Sequence, residues 1–470
     1  MPELHLVSND PSELQGRTES LVGGLRSHFE SGATKSLAWR LSQLDALEHL
    51  LFEREQDILD ALRADLGKPE LEAFTPEIGM VLGEIKLARK KLRSWMKPQR
   101  VRTSLAALPG RSYVVREPLG LVLIIAPWNY PFQTAILPLV GALAAGNCVV
   151  IKPSEIAPRT SALIAKWIPK YLDREAVQVV EGGVPETTAL LEQKWDHIFY
   201  TGNGTVGRII MEAAARHLTP VTLELGGKSP CIVDETADLD MAAKRIVFGK
   251  FFNAGQTCVA PDYVLVHERV HDALVNRMVS TVREFYGDDP KRSPDFARII
   301  NERHHARLLR LLDGADVVVG AESDAGARYI APTILKNVRE DDPVMREEIF
   351  GPILPVIAVQ SVRRAVAFVS RHDKPLALYL FSSNREAQDL VLEGTSAGGT
   401  TINHVWLHAG VPELPFGGVG ESGMGAYHGR HSFETFSHAR GVLKKSALPD
   451  PPLLFPPYAP WKLRWLKRLL

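Results

Sequence analysis

The chain has 470 residues, too many for one small core and enough for two or three packed domains. Hydrophobic residues make up 45% and charged residues 23%, as in ordinary globular proteins, and 55 basic residues balance 55 acidic ones. That balance leaves no overall field to draw in nucleic acid or an anionic surface, so a nucleic-acid partner is not expected.

The N-terminus, Met1 to Arg17, is polar, contains Pro2 and Pro11, and lacks the apolar core of a signal peptide. From Pro11 to about Lys97 apolar residues recur at helical spacing, as in Ala38–Arg54 and Glu77–Trp95. Tyr113–Glu117 reads as a strand, and Gly120–Ala126 is a fully apolar run of strand length. The weakly charged stretch Gln133–Ile151 is broken by Pro138, Gly141, Gly146 and Asn147, so it reads as a buried helix turning into a buried strand rather than a membrane span. Helices 132–145, 158–172, 185–193 and 205–216 then alternate with strands 148–152, 176–180, 196–201 and 220–224. Apolar strands alternating with helices predict an α/β fold with a doubly wound, Rossmann-like parallel sheet. A second α/β series starts near Ser229 and runs to about Asn403, where it gives way to the Gly/Pro-rich segment Pro412–Gly425.

Past Pro449 the character changes to several prolines and then WKLRWLKRLL. On a helical wheel Trp461, Trp465, Leu466, Leu469 and Leu470 share a side, with Arg464, Lys467 and Arg468 largely opposite. Such a tail packs on the protein or on a partner subunit, or lies weakly on an anionic membrane surface.

Three cysteines, Cys148, Cys231 and Cys258, are odd in number and far apart, with no CxxC spacing. That fits a reducing, cytoplasmic compartment rather than a disulfide framework or zinc knuckle. The pair His304 and His305 belongs to no HExxH motif, and no catalytic metal is expected. Cys148 and Cys231 lie in apolar strands, as buried cysteines do. Cys258 instead follows the helix-breaking Asn253-Ala254-Gly255, held by a loop with its own N–H free to donate, the setting of a reactive thiol.

Glu224 ends an apolar strand just before Gly226 and Gly227, at the carboxyl edge of a sheet where open α/β folds place ligands. Gly202-Asn203-Gly204-Thr205-Val206-Gly207 follows a strand and opens a helix, matching G-x-G-x-x-G, with N–H groups for a pyrophosphate. Glu224 lies about 20 residues further on, so spacing alone also offers it to the cofactor's ribose. Lys152 and Glu155 can hold ribose hydroxyls or pair with each other, and Glu348 is either another ribose anchor or a surface carboxylate. Asn129 follows the most apolar strand, where its amide can donate to an oxyanion or serve a turn.

The segments PWNYPF, GALAAGNCVVIKPSE, FYTGN, LELGGKSP, GKFFNAGQTCVAPDY, EEIFGPILPV and PFGGVGESGMGAYHGRHSFETFSH together resemble the aldehyde dehydrogenase superfamily, and CVAPDY and AYHGRHSFETFSH its class 3 branch. The resemblance covers roughly residues 30–445 in order, with 34 residues from Glu224 to Cys258. It implies an NAD(P)-binding domain (1–97 and 118–225), a catalytic α/β domain (226–425), a bridging β element for oligomerisation (98–117 and 426–448) and the tail 449–470. It also implies that Cys258 is the nucleophile, Glu224 the general base and Asn129 the oxyanion donor. The cofactor contacts it implies are Trp128, Lys152, Glu155, Gly202, Asn203, Gly207, Glu348 and Phe350.

The expected reaction is oxidation of a medium- or long-chain aliphatic or aromatic aldehyde to the acid, through a Cys258 thiohemiacetal and thioester. NAD is the expected cofactor, since Glu155 disfavours a 2′-phosphate, with NADP also accepted; a homodimer is expected. The alternatives are release of the acyl group to coenzyme A, which a positioned Glu224 argues against, and a non-catalytic scaffold, against which the intact residue set argues. A cysteine hydrolase would need a histidine partner for Cys258, and none is near it in sequence.

Overall fold

The computed structural model describes residues 11–104, 107–447 and 455–469. The chain divides into two compact units, Met1–Trp95 with Pro118–His438, and Met96–Glu117 with Ala439–Leu470.

In the larger unit, helices Pro11–Glu30, Leu37–Glu53, Glu55–Leu66, Glu70–Ala73 and Met80–Trp95 come first. The helix expected from Glu77 starts later, because Phe74–Gly79 forms a π-helical turn around Pro76. Proline has no N–H for the ladder, and such widened turns often mark functional positions. Here the turn carries Glu77, whose side chain is fully buried.

Two largely parallel sheets follow. The first has six strands in the order Gly423–Met424, Val221–Glu224, His197–Thr201, Leu121–Ile125, Cys148–Lys152, Val177–Val179. Leu121–Ile125 and Cys148–Lys152 are buried throughout, which explains their unbroken apolar sequence. The chain runs outward from Leu121–Ile125 in one direction, then returns to its other side with His197–Thr201. The strand order therefore reverses between these two, and the loops at their carboxyl ends, Ala126–Asn129 and Gly202–Asn203, flank the crevice where such sheets bind ligands. The seven-stranded second sheet runs Val317–Val319, Thr333–Leu335, Ile353–Val359, Tyr263–His267, Pro230–Val233, Ala377–Phe381, Gly399–Ile402.

Two expected boundaries shift. The catalytic span was expected to run to 425, yet Gly423–Met424 pairs antiparallel with Leu223–Glu224 of the first sheet. Gly423 permits this with a φ of 141° and no β-carbon, which would stand 2.1 Å from the Leu223 carbonyl oxygen. The second leg of the bridging element was expected from 426, but Gly429–Thr435 is a helix packed on helix Gln133–Ala145, and the smaller unit resumes at Ala439.

The smaller unit holds most of the three-stranded sheet Gln99–Val101, Gly110–Pro118, Ser437–Lys445, with Gln99–Val101 exposed. It also holds helix Pro460–Leu469, in which Lys462 is buried and donates to the Phe455 carbonyl while Trp461, Leu463 and Trp465 are exposed. Leu466 is half-buried; the side chain of Leu469 and all of Leu470, which completed the expected apolar side, lie outside the described residues. No helix among the described residues is long and apolar enough to cross a membrane.

Candidate active site

Cys258 sits where helix Leu239–Phe251 breaks into the 3-10 turn Phe252–Gly255. Asn253, Ala254 and Gly255 all have positive φ, 52°, 50° and 74°. For Asn253 and Ala254 that conformation costs about 1–3 kcal/mol each, so the surroundings must enforce it. They do so through hydrogen bonds. The Asn253 N–H donates to Glu72 (2.8 Å), and its amide donates to the carbonyls of Asn129 (3.0 Å) and Gln256 (3.1 Å). Fully buried Gln256 donates to the carbonyls of Asn253 and Arg298 and accepts from the Ile300 N–H. Gly255 packs so tightly that a β-carbon would stand 2.2 Å from the Gly351 carbonyl oxygen.

Cys258 is partly exposed, unlike Cys148 and Cys231, which are buried in strands. Desolvation first, then the nearby Glu348 and Glu224 carboxyls, push the thiol up to about 12, although the Cys258 and Val259 N–H groups pull it down. The thiol needs a local base.

Glu224 ends its strand almost fully buried, and neither carboxyl oxygen has a hydrogen-bond partner among the described residues. Desolvation holds its pKa well above the usual carboxylate range. Such a carboxyl binds a proton strongly and, once ionised, is a strong proton acceptor. Glu348 adds its own carboxyl, raised to about 8 by desolvation and by Asp262, and eased by a hydrogen bond from the Gly227 N–H. The two glycines after Glu224 thus admit Glu348 itself.

Asn129 follows the strand Leu121–Ile125, nearly buried, with its amide donating to the Gln256 carbonyl at 3.1 Å. That contact uses one of two amide hydrogens and ties Asn129 to the turn before Cys258. The ring of neighbouring Trp128 meets Phe350 edge-on at 5.3 Å between centroids.

The glycine turn forms the expected strand–turn–helix. The Gly202 N–H donates to the Glu224 carbonyl (2.9 Å), and Asn203 caps helix Gly204–Ala215 through the Val206 N–H. Gly207 lets that helix close on Leu225, 3.1 Å from where its β-carbon would stand. Lys152, 2% exposed, donates to the Pro153 carbonyl and to Glu155, so both expected alternatives for this pair remain compatible. A cleft of about 310 Å³ is lined by Asn203, Gly204, Gly226, Gly227 and Glu348 among others. Lys152, Glu155, Trp128 and Phe350 lie outside its lining. Backbone N–H groups at a helix start, a buried lysine at a strand end and a glycine-walled cleft fit a dinucleotide.

Several residues escaped the sequence reading. Helix Glu302–Arg310 supplies Arg307, which binds the Glu347 carboxylate and the Ile349 carbonyl, and His304, whose ring lies 4.9 Å from that of Trp128. Lys228 ties Asp262 to the carbonyls of Val344 and Glu347. Fully buried Lys68 and Glu77 pair beneath the Asn129 turn. All are distant in sequence from the segments they hold, and no spacing signals them.

The aldehyde dehydrogenase family model matches residues 18–442. The chain is 50% identical to "Aldehyde dehydrogenase family 3 member A2" of Macaca fascicularis, covering 96% of this chain and 94% of that protein. It is also 50% identical to "Aldehyde dehydrogenase, dimeric NADP-preferring" of Canis lupus familiaris, over 92% and 96% of the two chains. Among solved structures, the substrate-bound state of Staphylococcus aureus AldH superposes with a TM-score of 0.94 at 47% identity, covering 96% of this chain and 98% of that one. The chain belongs to the aldehyde dehydrogenase family, as an NAD(P)-dependent enzyme.

Proposed function

We propose that this enzyme oxidises apolar aldehydes, medium- or long-chain aliphatic or aromatic, with Cys258 as nucleophile, Asn129 as oxyanion donor and Glu224 as general base. The observation that carries the reading is Glu224, a buried carboxyl without a hydrogen-bond partner among the described residues, whose charge is felt by the Cys258 thiol.

Cys258 gives up its proton to a local base, and its sulfur adds to the aldehyde carbon. The oxyanion of the resulting thiohemiacetal takes hydrogen bonds from the Asn129 amide and the Cys258 N–H; losing one such donor costs about 10²–10³ in rate. NAD(P), when bound, supplies the hydride acceptor for the aldehyde hydrogen. Trp128, Lys152, Glu155, Gly202, Asn203, Gly207, Glu348 and Phe350 would hold it. Cys258 is then left as a thioester. Glu224 takes a proton from water, the hydroxide adds to the thioester carbon, and the Cys258 thiolate leaves the carboxylic acid.

Apolar substrates are favoured by the aromatic group Phe248, Phe252 and Trp406; the Trp406 backbone meets Tyr379, whose hydroxyl donates to the Val259 carbonyl in the Cys258 loop. Lys152 paired with Glu155 favours NAD, with NADP also accepted. The exposed Gln99–Val101 edge supports pairing of two copies, and the basic helix Pro460–Leu469 supports weak attachment to an anionic membrane from the cytoplasm.

The test is reduced-nicotinamide formation from an aldehyde panel by wild type, Cys258→Ala and Glu224→Gln. Loss of turnover in Cys258→Ala, with an acyl-enzyme detectable by mass spectrometry in Glu224→Gln, is expected. Free acid released by Glu224→Gln at the wild-type rate would remove Glu224 from the role.

A further inference from the structure

The turn that presents Asn129 is held by an ion pair from the N-terminal helical layer. Lys68, just past helix Glu55–Leu66, and Glu77, in the π-helical turn, are both fully buried and paired. The Lys68 Nζ also donates to the Asn129 backbone carbonyl at 2.9 Å and stands 4.0 Å from the centre of the Tyr130 ring. Glu77 accepts the N–H groups of Phe132 (3.0 Å) and Gln133 (2.9 Å), the first donors of helix Gln133–Ala145, which no side chain of its own caps. One cation and one anion thus fix both ends of the segment 129–133.

The grip extends to the nucleophile. The Asn129 carbonyl accepts from Lys68 and from the Asn253 amide, which fills its two lone pairs. The Tyr130 hydroxyl bonds Thr257 Oγ1 at 2.7 Å, one residue before Cys258. An apolar pair of similar volume would fill the same space, and buried ion pairs contribute little net stabilisation, but it would leave the Phe132 and Gln133 N–H groups without their acceptor. Nor could it orient the Asn129 carbonyl.

We propose that Lys68 and Glu77 are positioning residues for the oxidation step, setting the Asn129 amide. This rests on the oxyanion role given to Asn129 above. Neither residue touches the reacting atoms; each acts through the backbone it holds.

The experiment is a double-mutant cycle on the whole enzyme. Lys68→Met/Glu77→Leu removes both charges without stranding either, Lys68→Arg keeps the charge with a different reach, and Asn129→Ala removes the donor. Each is measured for turnover, aldehyde KM, NAD affinity and melting temperature. We expect both Lys68 variants to lower kcat about 10- to 100-fold, as small misplacements of reacting groups do, with NAD affinity unchanged. In the Asn129→Ala background the same substitutions should change kcat by less than about threefold, because their effect runs through Asn129. Wild-type kcat in Lys68→Met/Glu77→Leu overturns the proposal, as does an equal fold-loss with and without Asn129. If the paired substitution does not fold, Lys68→Arg decides by the same two criteria. Full turnover in Asn129→Ala alone would instead overturn the oxyanion reading, and any loss in the Lys68 variants would then belong to another route.

Discussion

The Glu348 carboxylate rests against Gly226 so closely that a β-carbon on that glycine would stand 2.0 Å from Oε2. Glu348 and Glu224 are therefore seated by the same short loop. The glycine after the strand holds one carboxylate while the strand end holds the other, and both are felt by the Cys258 thiol.

Gly226→Ala should expel Glu348 from this seat. The expected outcome is a loss of about tenfold in NAD affinity, or about 1.4 kcal/mol, comparable to one hydrogen bond to a charged group. Fluorescence titration with the reduced cofactor measures it. Glu348→Ala added to Gly226→Ala should cost nothing further; an unchanged affinity in Gly226→Ala would separate Glu348 from the cofactor.

Cys258 makes a prediction about pH. With its thiol pushed up to about 12, the free enzyme carries little thiolate at neutrality, and the thiolate fraction rises about tenfold per pH unit. Alkylation of Cys258 by iodoacetamide should climb with that slope from pH 6 to 9. Glu348→Gln, which removes one raising charge once Glu348 is ionised, should speed it above about pH 8. A plateau near neutrality would mean that the thiol is activated before substrate arrives.

The strands and helices were legible from their apolar periods, and so were the residues at strand ends, because in a parallel sheet the carboxyl edge is where chemistry sits. Glu224, Lys152, Asn129 and Gly202 all stand there. What sequence did not carry was support from elsewhere in the chain. Arg307 reaches Glu347 over 40 positions and Lys68 reaches Asn129 over 61, and neither lies in a motif that a period or spacing would expose. The π-helical turn at Phe74–Gly79 was missed for a similar reason: its apolar residues keep near-helical spacing while its hydrogen bonds change. The return of Gly423–Met424 to the first sheet depends on a glycine conformation, which glycine-rich wording alone does not distinguish from a loop.

Glu72 offers a stability test. Its side chain is buried, accepts the Asn253 N–H, and is raised to about 8, chiefly by desolvation. Between its ordinary value and about 8 the folded state binds a proton that the unfolded chain has released, so stability falls as pH rises through that window. Glu72→Gln keeps an acceptor for Asn253 and removes this dependence. It should be nearly neutral at pH 5 and stabilising by about 1–4 kcal/mol at pH 9. Melting curves across that range check it, and an offset that stays the same at every pH would refute it.

The C-terminal helix allows the last prediction. Pro460–Leu469 carries Lys462, Arg464, Lys467 and Arg468 and no acid, with Trp461, Leu463 and Trp465 exposed. The buried Lys462 is tied to the Phe455 carbonyl, which leaves three cations for a surface. At about 1 kcal/mol per basic residue near an anionic membrane, plus partial burial of two tryptophans, attachment should be weak, reversible and dependent on negative lipid. Full-length enzyme should co-sediment with vesicles containing phosphatidylserine and not with pure phosphatidylcholine, and concentrated salt should release it. Removing the chain from Pro449 onward should abolish pelleting while leaving aldehyde turnover in solution unchanged. Arg464→Gln/Arg468→Gln should weaken binding to the charged vesicles, and Trp461→Ala/Trp465→Ala should weaken what remains. Equal pellets for full-length and truncated enzyme would assign the helix to packing within the protein or between subunits, and sizing of the truncated enzyme would then show whether it holds two copies together.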